Sequence, residues 1–63
     1  MKFLIVGLGS MGKRRVRNLQ SLGFNEIYGF DVRDERRHEA GAKYGIKTYD
    51  NIHSALTEVQ PTA

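Results

Sequence analysis

The chain has 63 residues with ten basic and seven acidic side chains, which gives a formal net charge of +3, and it contains no cysteine. A domain of this size buries only about 60% of the surface that its unfolded chain exposes, so it is a single and marginal folding unit. Without cysteine it has neither disulfides nor thiolate-ligated metal to add stability.

The first predicted strand covers Lys2 to Val6. Its central run from Phe3 to Val6 is apolar without alternation, which is typical of a strand buried on both faces of a parallel sheet. This run is too short for a signal-peptide core or a membrane span. We therefore expect a cytoplasmic protein with no membrane partner.

A glycine-rich turn follows the strand and leads into a segment with helical periodicity. Gly7 permits a tight turn, Gly9 lets a pyrophosphate approach the backbone, and Gly12 allows close packing of the helix on the strands. The free N–H groups near Ser10 and Met11 would face the phosphates, whose charge the helix dipole favours. The spacing G-x-G-x-x-G between a strand and a helix predicts a dinucleotide site. The alternative is a tight turn that binds no ligand.

The first helix is predicted from about Ser10 to Leu22, and Gly23 is its C-terminal stop. Its apolar face is formed by Gly12, Val16, Leu19 and Gly23, and Met11 and Leu22 widen it. The basic residues of this segment are Lys13, Arg14, Arg15 and Arg17. Because most of them lie away from the apolar face, we interpret them as the solvated side of an amphipathic helix and expect no nucleic-acid partner.

The second predicted strand runs from Glu26 to Asp31, and Gly29 inside it indicates a close approach by backbone or by a helix. Asp31 ends this strand nineteen positions after Gly12. In an open α/β sheet the carboxyl ends of the strands form the rim where ligands bind. Asp31 is therefore predicted to accept hydrogen bonds from the adenosine ribose hydroxyls.

The rest of the chain continues the alternation of helices and strands. Asp34 is the predicted N-cap of a helix from about Glu35 to Tyr44, which Gly45 ends. A short strand follows at Lys47 to Tyr49. Asp50 then caps a helix from about Asn51 to Val59, and its predicted buried face is formed by Ile52, Ala55, Leu56 and Val59.

This order of elements predicts an α/β fold. Right-handed crossovers give half of a Rossmann-type NAD(P)-binding fold, with three parallel strands in the order 3-2-1 and three helices. Residues 1–63 are expected to be a partial dinucleotide-binding domain that lacks the second half of the fold and a substrate domain. No metal site is predicted, because His38 and His53 lie far apart in sequence and are expected to be solvated.

Over essentially its whole length, the sequence resembles the N-terminal segment of the Gfo/Idh/MocA family of NAD(P)-dependent oxidoreductases. The resemblance rests on the run from Gly7 to Leu19, on Asp31, and on Tyr44-Gly45-Ile46 followed by Tyr49-Asp50. It implies hydride transfer between nicotinamide and a carbonyl or hydroxyl carbon of a sugar-like substrate. The residues that it implies at the pyrophosphate are Gly7, Gly9, Ser10, Met11 and Gly12, and those at the adenosine end are Asp31, Val32 and Arg33.

Two features limit what this resemblance implies. Many members carry a histidine where this chain has Arg15. The family's catalytic lysine, often in a Glu-Lys-Pro motif, lies downstream of the region that this chain covers, so no residue here takes a catalytic role. Two alternatives share the glycine turn: a fragment of a 3-hydroxyisobutyrate or 6-phosphogluconate type of dehydrogenase, and a non-catalytic nucleotide-sensing module such as the potassium-channel regulatory domains.

Opposing charges bear on the choice of cofactor. The carboxylate of Asp31 favours NAD because it repels a 2′-phosphate, whereas Arg33, Arg36 and Arg37 favour NADP because a guanidinium binds phosphate. NAD is the preferred prediction, and replacing Asp31 with Ser is expected to raise the affinity for NADP relative to NAD. The first strand should also leave a free apolar edge, which predicts a homo-oligomer through antiparallel pairing of two such strands.

Overall fold

The computed structural model describes residues 1–62, and Ala63, the last residue of the predicted domain, lies outside the described residues. The strands are β1 (Phe3–Val6), β2 (Ile27–Phe30) and β3 (Lys47–Tyr49), and the helices are α1 (Ser10–Ser21), α2 (Asp34–Tyr44) and α3 (Ile52–Val59). All strand pairs are parallel and the order is β1-β2-β3. The predicted α/β half-Rossmann arrangement is confirmed.

The register of the sheet aligns the carboxyl ends of the three strands. Val6 pairs with Phe30, and Phe30 pairs with Tyr49. The N–H of Gly7 extends the first ladder by donating to the carbonyl of Phe30 at 2.8 Å. The glycine turn after β1 and Asp31 after β2 therefore lie side by side on one rim of the sheet.

The core contains a residue that the sequence patterns did not single out. Leu8, in the middle of the glycine turn, is fully buried beside the expected apolar residues; the others are Val16, Ile27, Ala40, Ala55 and Val59. The Leu8 side chain lies against Gly29, where an added Cβ would be 2.8 Å from Leu8 Cδ2 and 3.1 Å from Ile46 Cδ1. Gly29 is thus closely approached, but by the side chains of Leu8 and Ile46 and not by backbone or a helix as predicted.

The apolar faces are less completely covered than predicted. Met11 and Leu22 on either end of α1 are exposed, as are Ile52 and Leu56 on α3. Phe3 to Ile5 are only partly buried and Val6 is 66% exposed, so the prediction that β1 is buried on both faces is wrong. A sheet of three short strands offers too little area to cover the full width of every helix. Among residues 1–62, no helix combines the length and the apolar character needed to cross a membrane.

Two predicted helix caps are wrong by one residue, while the predicted C-terminal stop of α2 is confirmed. Helix α2 has Arg33 as its N-cap, and Asp34 is its first helical residue. Helix α3 is capped by Asn51, whose Oδ1 accepts from the N–H of Ser54 at 3.0 Å. At α3 the adjacent Asp50 and Asn51 are both of capping type, whereas Arg33 makes no side-chain cap at α2. Gly45 ends α2 in the left-handed conformation with φ +69°.

Replacing Gly12 with Ala should strongly destabilise the fold. An added Cβ would lie 1.8 Å from the carbonyl oxygen of Gly7, a backbone atom that cannot move without breaking the turn. We expect the free energy of unfolding to fall by about 1–3 kcal/mol, the usual cost of overpacking. Urea denaturation followed by circular dichroism measures this loss.

The matched control is Gly41→Ala, which is also a glycine inside a helix. Its Cβ would meet only the Ile46 carbonyl oxygen at 3.6 Å, an ordinary contact. Because alanine is the better helix former, this variant should gain about 0.5–1 kcal/mol. Equal effects of the two substitutions would contradict the proposed packing of α1 on the turn.

Candidate functional site

The glycine turn presents an open backbone at the start of α1. Gly7 has φ +94°, a left-handed conformation that side chains rarely adopt. Gly9 is the N-cap of α1, and its carbonyl accepts the first helical bond, from the N–H of Lys13 at 2.9 Å. The first-turn N–H groups of Ser10, Met11 and Gly12 precede that bond and have no acceptor among residues 1–62. They are available to a ligand.

These residues line a groove of about 660 Å³ along the free side of β1 and the start of α1. The five residues predicted to bind pyrophosphate all lie on its wall; they are Gly7, Gly9, Ser10, Met11 and Gly12. Two cationic side chains, Arg15 and Arg36, also line the groove. The structure therefore brings together the predicted pyrophosphate residues and adds positive charge beside them.

Asp31 occupies the predicted place just after β2, but its carboxylate is bound to the protein itself. The side chain is almost fully buried: Oδ2 accepts from the N–H of Leu8 at 2.8 Å, and Oδ1 accepts from the N–H of Arg33 at 2.9 Å. Arg36 Nη1 lies 3.5 Å from Oδ2. Asp31 thus fixes the glycine turn to the end of β2, a structural role that the sequence patterns did not reveal.

The same contacts keep Asp31 ionised. The hydrogen bond from the backbone N–H of Arg33 lowers the pKa of Asp31 most, and the N–H of Leu8 and the charge of Arg36 lower it further. Burial opposes them, yet the net direction is below the ordinary value. The rim of the sheet therefore carries one buried negative charge at Asp31, which two backbone N–H groups and one arginine stabilise.

None of the three residues predicted at the adenosine end, Asp31, Val32 and Arg33, lines the groove. Val32 is 76% exposed. The Arg33 side chain is exposed and approaches Glu35 at 3.9 Å between Nη1 and Oε1. The residue that reaches the groove is instead Arg36, in the first turn of α2. A helix that begins shortly after Asp31 places its first turn near the rim of the sheet. The predicted start of α2 could therefore have indicated that Arg36 lies near the groove.

The basic residues of α1 do not form one surface. Lys13 pairs with Glu39 and so links α1 to α2, and Arg15 lines the groove. Arg14 and Arg17 are exposed, as are both histidines. Among residues 1–62 no group of three His, Cys, Asp or Glu side chains is placed to hold a metal ion.

The groove fits a pyrophosphate. Several unpaired N–H groups point from the start of α1, where the helix dipole favours an anion. The backbone of Gly9 is extended, with φ −72°, a conformation that any residue can adopt. The turn itself therefore does not require a glycine at this position. The absence of a side chain instead leaves space, and the nearest atoms to a Cβ at that position belong to Arg36 at 3.5 Å.

Replacing Asp31 with Asn should cost about 1–3 kcal/mol of stability at neutral pH, because one backbone N–H would face an amide donor. Asp31→Ser removes the same carboxylate, so any shift of its cofactor preference should be accompanied by a similar loss of stability. Asp50→Asn is the matched control, since Asp50 is exposed and should change stability by less than about 0.5 kcal/mol.

The stabilisation by Asp31 should also depend on pH in a defined direction. Because the pKa of Asp31 is lowered in the folded state, its contribution is complete above the unfolded pKa and is lost as the pH falls through the folded pKa. The difference in stability between the wild type and Asp31→Asn should therefore shrink below a pH of about 4. Thermal denaturation from pH 7 to pH 2.5 measures it, and a difference that stays constant would contradict this role of the carboxylate.

Comparison with known proteins agrees with this geometry. A family model described as the NAD binding domain of 6-phosphogluconate dehydrogenase matches residues 2–62. No curated protein and no solved structure gives a significant match. The match supports an NAD(P)-binding segment of an oxidoreductase and the 6-phosphogluconate type of dehydrogenase that the sequence analysis kept as an alternative. It gives no support to the Gfo/Idh/MocA resemblance. The cofactor is NAD(P), and the chain belongs to the family of the NAD-binding domain of 6-phosphogluconate dehydrogenase.

Proposed function

We propose that the chain binds the pyrophosphate and adenosine parts of NAD(P) for an oxidoreductase that transfers hydride to or from a carbonyl or hydroxyl carbon. The observation that carries the proposal is the groove beside Gly9, into which the first-turn N–H groups of α1 are free to donate. When bound, the nicotinamide supplies or accepts the hydride.

The roles of the residues follow from their positions. Ser10, Met11 and Gly12 offer backbone N–H groups to the phosphates, and Gly9 gives them access because it has no side chain. Asp31 holds the turn in place through Leu8, and its remaining lone pairs are the acceptors for a ribose hydroxyl. No residue of this chain is assigned a catalytic role.

The substrate class rests on two likenesses. The family to which the chain belongs is named after an enzyme that acts on 6-phosphogluconate, a sugar acid. The Gfo/Idh/MocA resemblance, carried by the segment from Tyr44 to Asp50, also implies a sugar-like substrate. We therefore propose a sugar-derived carbinol as the substrate of the oxidoreductase. The assignment to Gfo/Idh/MocA and a cytoplasmic location stay predictions.

Gly9→Ala tests the proposed function without disturbing the fold. The backbone of Gly9 suits any residue and the added Cβ makes only ordinary contacts, so the melting temperature should not fall. The methyl group would stand in the path of the pyrophosphate, so NADH affinity should fall at least about tenfold, which corresponds to about 1.4 kcal/mol. Fluorescence titration of the 63-residue chain with NADH measures this affinity.

The control for this titration is Gly41→Ala, which lies outside the groove. Weak binding by Gly9→Ala and unchanged binding by Gly41→Ala support the proposal. If the wild type binds no NADH, the chain alone is not a nucleotide-binding unit. If Gly9→Ala binds as tightly as the wild type, the pyrophosphate does not lie at this turn. A non-catalytic sensing module would pass the same test, and measured turnover by the complete protein separates it from an oxidoreductase.

We also propose that the free edge of β1 pairs with a second copy of the chain. Phe3 and Gly7 direct their N–H groups to β2, so alternation directs those of Leu4 and Val6 to the other side. Thr62 covers only the start of this edge, where its N–H donates to the Lys2 carbonyl at 2.9 Å. Among residues 1–62, no backbone hydrogen bond reaches Leu4 or Val6 from that side. Such an edge recruits another strand.

Val6→Lys tests this pairing. Val6 is exposed, so a lysine there should leave the core intact while its charge opposes a second strand. We expect the wild type to sediment as a dimer and Val6→Lys as a monomer. Val32→Lys, a similarly exposed valine away from β1, should remain dimeric. A folded wild-type monomer at micromolar concentration would refute the pairing.

A further inference from the structure

A second concave surface lies between α1 and the C-terminal end of α2. Three of the four basic residues of α1, all except Arg15, recur at the spacing that brings side chains onto one face of a helix. With residues of α2 they form a cleft of about 220 Å³. The residues that line this cleft are Ser10, Lys13, Arg14, Arg17, Lys43 and Tyr44.

Most of the positive charge in this cleft has no partner. Lys13 pairs with Glu39 of α2. In the part of the chain that the structure describes, no ion pair or side-chain hydrogen bond involves Arg14, Arg17 or Lys43. Three cationic side chains from two helices thus keep their donors available at one place.

The whole formal excess of positive charge in the chain is located at this cleft. Its four cations and the nearby Glu39 together carry +3. The remaining six basic and six acidic side chains cancel, and most of them form ion pairs with one another. A nucleic-acid strand would need positive charge that continues along the surface. An excess that is confined to one cleft fits a compact anion better.

The position of these cations is unfavourable for α1 itself. Lys13 and Arg14 lie close to the N-terminus of α1, where the helix dipole favours anions and where the first turn has no acidic residue. Lys13 and Arg17 are four positions apart, a spacing at which like charges repel. The Lys13 side chain lowers the pKa of Glu39 most, and the charge of Lys43 lowers it further, so this single carboxylate already responds to both helices. A bound anion would relieve the remaining repulsion.

Phosphate is the anion that suits these side chains. A guanidinium can bind phosphate oxygens through two parallel hydrogen bonds, and a lysine binds phosphate as a point charge. One phosphate group carries nearly two negative charges, so three cations without partners match more than one such group. Ser10 and Tyr44 also line the cleft, and their hydroxyl groups can donate to the same oxygens.

We propose that the cleft between α1 and α2 is a second anion site, which binds a small ligand with two or more adjacent phosphate groups. Arg14 and Arg17 bind the phosphates from α1, and Lys43 binds them from α2. The site is distinct from the groove beside Gly9, because Ser10 alone lines both. Inorganic polyphosphates and nucleoside triphosphates both carry this chemistry.

Isothermal titration calorimetry of the chain with sodium tripolyphosphate at 150 mM salt tests the site. We expect the wild type to bind, and we expect the dissociation constant of the double variant Arg14→Gln/Arg17→Gln to be at least about tenfold higher. The double variant should melt no lower than the wild type when no anion is present, because it removes charges that repel one another. Lost binding is then not a lost fold.

The matched control is the double variant Lys2→Gln/Lys47→Gln. It removes the same amount of charge from exposed lysines that do not line the cleft. Its dissociation constant for tripolyphosphate should stay within about twofold of the wild-type value, because salt at this concentration screens distant charges. An equal weakening in both double variants would mean that only the net charge matters, and it would overturn the inference.

Gly9→Ala separates this site from the groove. The variant should keep its binding of tripolyphosphate, since the added methyl group does not reach the lining of the cleft. Binding that is lost in Gly9→Ala and kept in Arg14→Gln/Arg17→Gln would place the anion in the groove. That result would overturn the inference and leave the proposed function intact. A wild type that binds NADH but no tripolyphosphate would do the same.

Three further ligands define the chemical class. Orthophosphate that binds as tightly as tripolyphosphate would contradict a site for adjacent phosphates. A short oligothymidylate that binds more tightly than tripolyphosphate, and loses affinity in Arg14→Gln/Arg17→Gln, would make the cleft part of a nucleic-acid surface and would also contradict the inference. ATP, titrated into Gly9→Ala, distinguishes the two sources: binding tighter than that of tripolyphosphate supports a nucleotide as the ligand, and equal or weaker binding supports an inorganic polyphosphate.

Discussion

The hydrogen bond between the Leu8 N–H and the Asp31 carboxylate joins the two halves of the candidate site. It fixes the glycine turn after β1 to the end of β2. The Leu8 side chain strengthens the same junction, because it fills the space above Gly29. The start of α1, and with it the direction of the free N–H groups, depends on this junction. In this chain the glycine turn is therefore part of the core, and a substitution at Asp31 acts first on the fold.

The sequence predicted the order of the elements and the strand order, since glycine spacing and apolar periodicity are local signals. The five residues that it predicted at a pyrophosphate lie together on the wall of one groove. It did not predict Leu8 as a core residue, because a leucine between two glycines has no periodic pattern to mark its burial. Nor did it identify Arg36, since three arginines within five positions are equivalent until α2 has a defined start.

Burial was predicted less well than secondary structure. Periodicity indicates which face of a helix turns inward, but the area available to cover that face depends on the sheet. Here Val59 and Ala55 are buried on α3, whereas Leu56 on the same predicted face is exposed. Two of the exposed apolar side chains, Val6 and Met11, line the groove along the free side of β1. The groove beside Gly9 and the free edge of the sheet are thus neighbouring parts of one incompletely covered surface.

The contact between Lys2 and Thr62 joins residues 60 positions apart in the sequence. Bringing two such distant residues together costs the chain more loop-closure entropy than any contact within a single β-α-β unit. The contact is also exposed and consists of hydrogen bonds alone. It should consequently form late in folding and open early under native conditions, with fast amide exchange at Thr62. Each such opening would free the backbone N–H and carbonyl of Lys2, the residue before β1, and so extend the unpaired edge of the sheet by one residue.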